Sequence, residues 1–402
     1  MRSFSILARK KKITYFSAAL LLLAFLIWRF VRPMNIFVVT DNFARPMAIT
    51  QPPAGLESMR AADCGKCHKA IYKEWAASMH AHAWTDPYYQ IDRRFDDSQQ
   101  ICLNCHIPLQ NQQPDLVTGF RDKERFKPIL RKNPDFDPVL QQEGITCVVC
   151  HLRDGVINNP RVSGLAPHKS RVNKAMIQGV GVCGQCHVVS GRRWDTFFKI
   201  PPCGTVAEIK TGTPGKSIIC ITCHMPQTIR PLVEGGEPKT VRMHLWRGGH
   251  DPKHVRQAVK FDFKITKQAG GAGEARLTLT NTDTDHFLPT GTPDRYLSVT
   301  FKLRGADVQL KSKTFELRRT IMWRPFIVDL WDTRLIKNKP QSYTFTWPRT
   351  TKNTPRTLKI TVRYHLLAEA RRRRINYRNK TPISYIIYQR AEVLEGRRKS
   401  RQ

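Results

Sequence analysis

Five copies of one short cysteine–histidine string constrain this chain more than anything else in it. Cys64-Gly-Lys-Cys67-His68, Cys102-Leu-Asn-Cys105-His106, Cys147-Val-Val-Cys150-His151, Cys183-Gly-Gln-Cys186-His187 and Cys220-Ile-Thr-Cys223-His224 all read C-x-x-C-H. They take ten of the 11 cysteines, whereas random placement of this composition gives on the order of 0.01 such strings. Cysteines at i and i+3 share one face of a helical turn, so both thiols can form thioethers with the two vinyl groups of one porphyrin. The adjacent histidine then turns its imidazole toward the iron. The spacing reads as covalent haem c attachment, five times over. A zinc ribbon would leave the five histidines unexplained. A thioredoxin-like C-x-x-C occurs once, in a βαβ context.

The front of the chain sets the compartment. Residues 13–28 carry no charge, and the apolar run passes Arg29 to reach Val31, close to the ~20 residues that span hydrocarbon. Arg2, Arg9, Lys10, Lys11 and Lys12 precede it, which keeps residues 1–12 on the cytoplasmic side as a basic tail. No small-residue cleavage site follows the run, so 13–31 reads as an uncleaved transmembrane anchor rather than a signal peptide. The expectation is a single-pass protein of the bacterial inner membrane with everything after the anchor in the periplasm. Covalent haem is attached in that same compartment.

Residues 32–60 read as a linker, broken by Pro33, Pro46, Pro52, Pro53 and Gly55. The strings then occupy residues 61–256, which predicts a mostly α and irregular pentahaem domain with short helices at each string. About 40 residues surround each histidine, too few for a conventional core, so the porphyrins must supply much of the buried apolar surface. From 257 to 402 the pattern changes to period two. Leu297, Val299, Phe301 and Leu303 alternate with Ser298, Thr300, Lys302 and Arg304, and three further segments behave alike. That predicts a C-terminal antiparallel β-sandwich.

A low-spin electron-transfer haem takes a second axial ligand, commonly His or Met. Proximal positions use His68, His106, His151, His187 and His224, leaving eight histidines. His80, His168, His244 and His250 lie inside or beside the string region among Trp, Pro and Gly, and are the main candidates. His286, at a strand entrance, could reach across the domain boundary. His82 and His254 stand next to better candidates, His365 belongs to the polar face of its strand, and Met225 reads as packing. Cys203, the odd thiol, is either a small buried hydrophobe or a thiolate near a haem.

Here the sequence resembles a known group. Trp75-Ala-Ala-Ser78-Met-His80 is similar to the W-x-x-S-x-H segment of multihaem cytochromes related to the tetrahaem carrier that serves hydroxylamine oxidoreductase. Glu143-Gly144-Ile145-Thr146, Ala166-Pro167-His168, Cys223-His224-Met225-Pro226 and His244-Leu-Trp-Arg-Gly248-Gly249-His250 fit the same pattern. His286 to Arg295 resembles the H-x-F-P-T-G stretch of a C-terminal domain found on some members. The resemblance, over about 60–255, implies distal-ligand roles for His80, His168, His244 and His250. Five strings and an anchor set this chain apart from the tetrahaem carrier.

Two functions remain open from sequence. One is electron transfer between a membrane donor and a periplasmic protein. The other is reduction of a small nitrogen or sulfur oxyanion at one five-coordinate haem. The absence of a C-x-x-C-K string, which would resemble the active site of pentahaem nitrite reductase, favours the carrier. The chain carries a formal charge of +35, of which +20 falls in 251–402. Such a surface suits acidic redox partners or anionic lipid. Nucleic acid would suit the charge, but not the compartment.

Overall fold

The structure, a computed structural model, describes residues 2–31, 37–39, 41–96, 98–123, 125–161, 166–187, 191–193, 204–215, 217–268, 271–305, 308–322, 328–349 and 355–394. Cys203 lies outside these. The N-terminal run forms one helix, Arg2–Val31. Within it, Lys11–Trp28 is the one described stretch long and apolar enough to cross a membrane, and none of it is buried against the protein. An apolar surface that size is unfavourable in water.

The segment expected as a linker is in fact packed in place from residue 43 onward. Its prolines interrupt helix, but the apolar side chains between them cover the string region. Phe43 and Ala44 are buried against Ile101, Cys105, Phe120 and Phe126, and Asn104 donates to the Phe43 carbonyl at 2.7 Å. Met59 joins a core with Leu109, Leu140, Val148 and Leu152.

A short helix holds part or all of each string: Ala61–Gly65, Gln100–His106, Cys147–His151, Val180–Cys183 and Ile221–His224. Short antiparallel ribbons, 115–120 with 128–132 and 227–231 with 238–242, link them. Their apolar clusters are small and separate, as the shortage of residues per string predicts.

The C-terminal strands build a different kind of core. They are β1 (Val259–Lys267), β2 (Gly273–Asn281), β3 (Tyr296–Arg304), β4 (Gln309–Leu317), β5 (Gln341–Trp347), β6 (Arg356–His365) and β7 (Ser384–Leu394). One antiparallel sheet runs β1-β2-β5 and the other β4-β3-β6-β7. Alternation places Leu277, Leu297, Phe301, Leu358 and Ile360 in one shared core at 0% exposure. Phe301 of one sheet stacks on Phe345 of the other, with ring centres 5.5 Å apart. Phe301→Ala should therefore cost about 3–5 kcal/mol, lost burial plus an unfilled cavity, read as a lower denaturation midpoint.

A helix of the string region, Thr205–Gly212, docks on the loop that enters the β half. Glu208 within it accepts from Arg334 at 2.6 Å, and Thr205 shares a hydrogen bond with Thr290. Elsewhere on the same interface, Arg371 binds Asp92 and Asp96.

Candidate haem-binding site

Local hydrogen bonds fix how four of the five C-x-x-C-H histidine rings sit. His68 Nδ1 pairs with the Leu232 carbonyl at 3.0 Å, His106 with Ala83 at 2.6 Å, His151 with Asn158 at 2.9 Å and His224 with Arg247 at 2.5 Å. A carbonyl only accepts, so in each case Nδ1 carries the proton and donates. That leaves the Nε2 lone pair for a metal. Two of the other candidates follow the same rule: His244 donates to Arg242 at 3.0 Å and His286 to Phe287 at 2.8 Å.

Three imidazole pairs face one another. Ring centres are 6.3 Å apart for His80 and His187, 6.2 Å for His151 and His244, and 6.3 Å for His224 and His286. An imidazole nitrogen binds a first-row metal at about 2.0–2.1 Å and lies about 1.1 Å from its ring centre, so trans imidazoles on one iron need about 6.3 Å. Their interplanar angles, 61°, 29° and 16°, differ freely, as rotation about a common axis allows. The spacing and donor chemistry fit a bis-histidine haem at each of these three positions. Burial holds His80 down to about 3 and His244 and His286 to about 4. At neutral pH they are the uncharged form that metals bind.

The remaining candidates separate. His168 Nδ1 contacts the Ser170 hydroxyl at 3.0 Å, and His250 lies near the Arg295 guanidinium. Among the described residues, neither comes into ring contact with a string histidine. His254 also approaches His224, at 5.7 Å and tilted by 55°, closer than the 6.3 Å between His224 and His286. His365, expected to be solvated, is instead half-buried. It stacks on Tyr296 at 4.0 Å and uses Nε2 on Ser298, the nitrogen a ligand would need. His106 lies flat against Tyr89, with ring centres 3.6 Å apart.

The short motifs of the sequence now have physical roles. Trp75 donates its indole N–H to the Ile145 carbonyl at 2.7 Å, and Ser78 closes the turn by donating to Trp75 at 2.7 Å. Ile145 in turn donates its backbone N–H to His80 at 2.9 Å. Glu143 accepts from the Ala61 backbone at 2.7 Å, at the start of the first string's helix. Gly144 has φ +59°, and a Cβ there would stand 2.7 Å from the His80 carbonyl. Gly144→Ala should therefore displace His80 and lower the low-spin haem content by about one haem in five, read by electron paramagnetic resonance.

Two residues passed over in the sequence also matter. Trp246 packs edge-on against both His80 and His244, at 4.7 and 5.2 Å. Glu74 binds Arg230 through both oxygens and accepts from the His244 backbone at 2.8 Å. Burial opposes its charge, but those donors hold the carboxyl below its usual range. The one available signal was their place inside recognised motifs, Glu74 just before Trp75 and Trp246 between His244 and His250.

The strings themselves are neighbours in an order that is not their sequence order. Cys147 of the third string packs on the cluster around Ala61, at the start of the first string's helix; Arg153, just after the third string, donates to Gln185 of the fourth at 3.1 Å; and a backbone bridge between Gly179 and Ile219 ties the fourth string to the fifth.

Residues 63–152 match the family model described as cytochrome c554 and c-prime. The fold is similar to that of a penta-haem cytochrome c552 from Thermochromatium tepidum, with TM-score 0.60 and 18% identity over 82% of this chain and 97% of that one. A structural-genomics target aligned over 35% of this chain and 87% of its own gives a TM-score of 0.17 at 9% identity, which carries no weight. No curated protein matches the sequence. The architecture is that of a multihaem c-type cytochrome.

Proposed function

We propose that this chain is an electron-transfer cytochrome that holds five haem c groups through Cys64, Cys67, Cys102, Cys105, Cys147, Cys150, Cys183, Cys186, Cys220 and Cys223. The observation that carries the reading is the set of three imidazole pairs at 6.2–6.3 Å. A haem with two histidine ligands supplies a one-electron ferric/ferrous couple with no ligand exchanged. The protein's part is to fix imidazoles beforehand: Nδ1 of His151, His224, His244 and His286 is tied to carbonyls, and Trp246 packs edge-on against His80 and His244. Such rigidity suits transfer rather than substrate binding.

His68 and His106 serve as the proximal ligands of the other two haems, with His168 and His250 kept as ligands to be tested. The N-terminal helix anchors the chain in the inner membrane, with its basic tail cytoplasmic and the haem and β parts periplasmic. Partners are acidic redox proteins on the periplasmic side or in the membrane. Kinship with the tetrahaem carrier that serves hydroxylamine oxidoreductase belongs to this same reading and rests on the motif residues.

Mass spectrometry of the intact mature chain tests the reading. It should show the polypeptide plus five haem masses and no free thiol in any string. Bare thiols overturn it. A high-spin ferric signal that responds to nitrite or sulfite would instead move the function to the oxyanion reductase.

A further inference from the structure

The two sheets of the β half carry charge on their outer faces in different ways. On the β1-β2 face, Lys264 is paired with Asp262 at 3.9 Å and Arg276 with Glu274 at 3.1 Å. On the β3-β6 face, the alternation turns Thr300, Lys302 and Arg304 outward from β3, and Lys359, Thr361 and Arg363 from β6. They line a hollow of about 280 Å³, and no described residue lining it is acidic. Glu316 of β4, opposite Ser298, is held by Arg318 at 3.1 Å. Lys302 stands directly opposite Lys359 in the ladder, and like charges so placed destabilise a sheet. Among the described residues neither lysine has a carboxylate partner. Cations alternating with threonine hydroxyls are a donor set that suits phosphate oxygens. Ile386 and Val393 of β7 share this face, opposite Arg363 and Thr357, and are 43% and 61% exposed.

We propose that the outer face of β3, β6 and β7 rests on anionic phospholipid. Lys302, Arg304, Lys359 and Arg363 meet the headgroup phosphates, and Ile386 and Val393 turn toward the acyl boundary. The chain itself keeps a bilayer close by. Its apolar helix ends at Val31, and Phe43 is already packed in the body. Residues 32–42 between them reach at most about 40 Å. A negatively charged lipid surface attracts Lys and Arg held near it. A second contact beside the tether stops the body rotating about its anchor, so the string region presents one side to partners in the membrane. This rests on the reading of the N-terminal helix as an anchor.

The test uses the full-length protein in nanodiscs, with lysine acetylation followed by mass spectrometry. Lys302 and Lys359 should react severalfold more slowly in discs containing phosphatidylglycerol than in discs of phosphatidylcholine alone. Lys260 and Lys264, on the β1 face, should keep their rates. Added salt should remove the difference, because it screens charges at a surface. Arg304→Gln with Arg363→Gln leaves both reporter lysines in place and should return their rates in charged discs to those in neutral ones.

Equal rates in the two kinds of disc overturn the proposal, as does equal slowing of Lys260 and Lys264. Protection by tripolyphosphate in neutral discs, with none from phosphatidylglycerol, also overturns it and assigns the hollow to a soluble polyanion. A chain that does not co-purify with the discs fails the anchor reading instead, before any acetylation is measured.

Discussion

His80→Ala, His244→Ala and His286→Ala each convert one haem from low-spin to high-spin, and each converts a different one. The expectation comes from the 6.2–6.3 Å spacing to His187, His151 and His224. Removing one imidazole takes away the nitrogen that would stand on the far side of the iron. Electron paramagnetic resonance of the oxidised protein should lose about a fifth of its low-spin intensity in each variant. His365→Ala is the control, since its Nε2 is engaged with Ser298; it should lose none. Added imidazole should restore the low-spin signal in the three variants by filling the space left behind. A variant among the three that keeps its full low-spin signal removes that histidine from the ligand set.

Arg334→Ala is the largest expected loss of stability. Arg334 and Glu208 are 4% and 0% exposed. Their contact at 2.6 Å joins the helix between the fourth and fifth strings to the segment before β5, where Leu335 pairs with Leu288 of the loop bearing His286. Arg334 also donates to the Pro289 carbonyl at 3.0 Å and to Asp332 at 2.6 Å, and lies over the Phe287 ring at 5.2 Å. Truncation strands the Glu208 carboxylate in a buried site without its cation. Breaking one side of a buried pair costs about 3–5 kcal/mol. Chemical denaturation followed at the haem absorption should register that loss. Because the same contact seats His286, the fifth-string haem should also turn partly high-spin before global unfolding. Glu208→Leu combined with Arg334→Met leaves no buried charge and should recover most of the stability. If Arg334→Ala matches the parent in both readouts, the interface does not depend on this pair.

Much of the site was legible in the sequence because its chemistry is local. Thioether formation needs two thiols on one helical turn and an imidazole beside them, and C-x-x-C-H states all three within five residues. The alternating segments around Phe301 and Leu358 were equally plain, since a half-buried strand writes its two faces into consecutive residues. His80 and His244 could be singled out by their motifs, and His286 by its place at a strand entrance. The misreadings arose where local pattern says little about long-range packing. Proline-rich residues 43–60 look like a linker, yet Phe43 and Met59 are buried. His365 has a polar-face position, yet it is held against Tyr296.

By itself the sequence determined where the five C-x-x-C-H strings stand, and that the second half alternates as strands do. Only the tertiary structure decided which imidazoles come within about 6.3 Å of one another. Partners such as His80 and His187 lie more than a hundred residues apart. No spacing rule spans that separation; it is bridged by folded contacts such as Ile145 on His80 and Arg334 on Glu208.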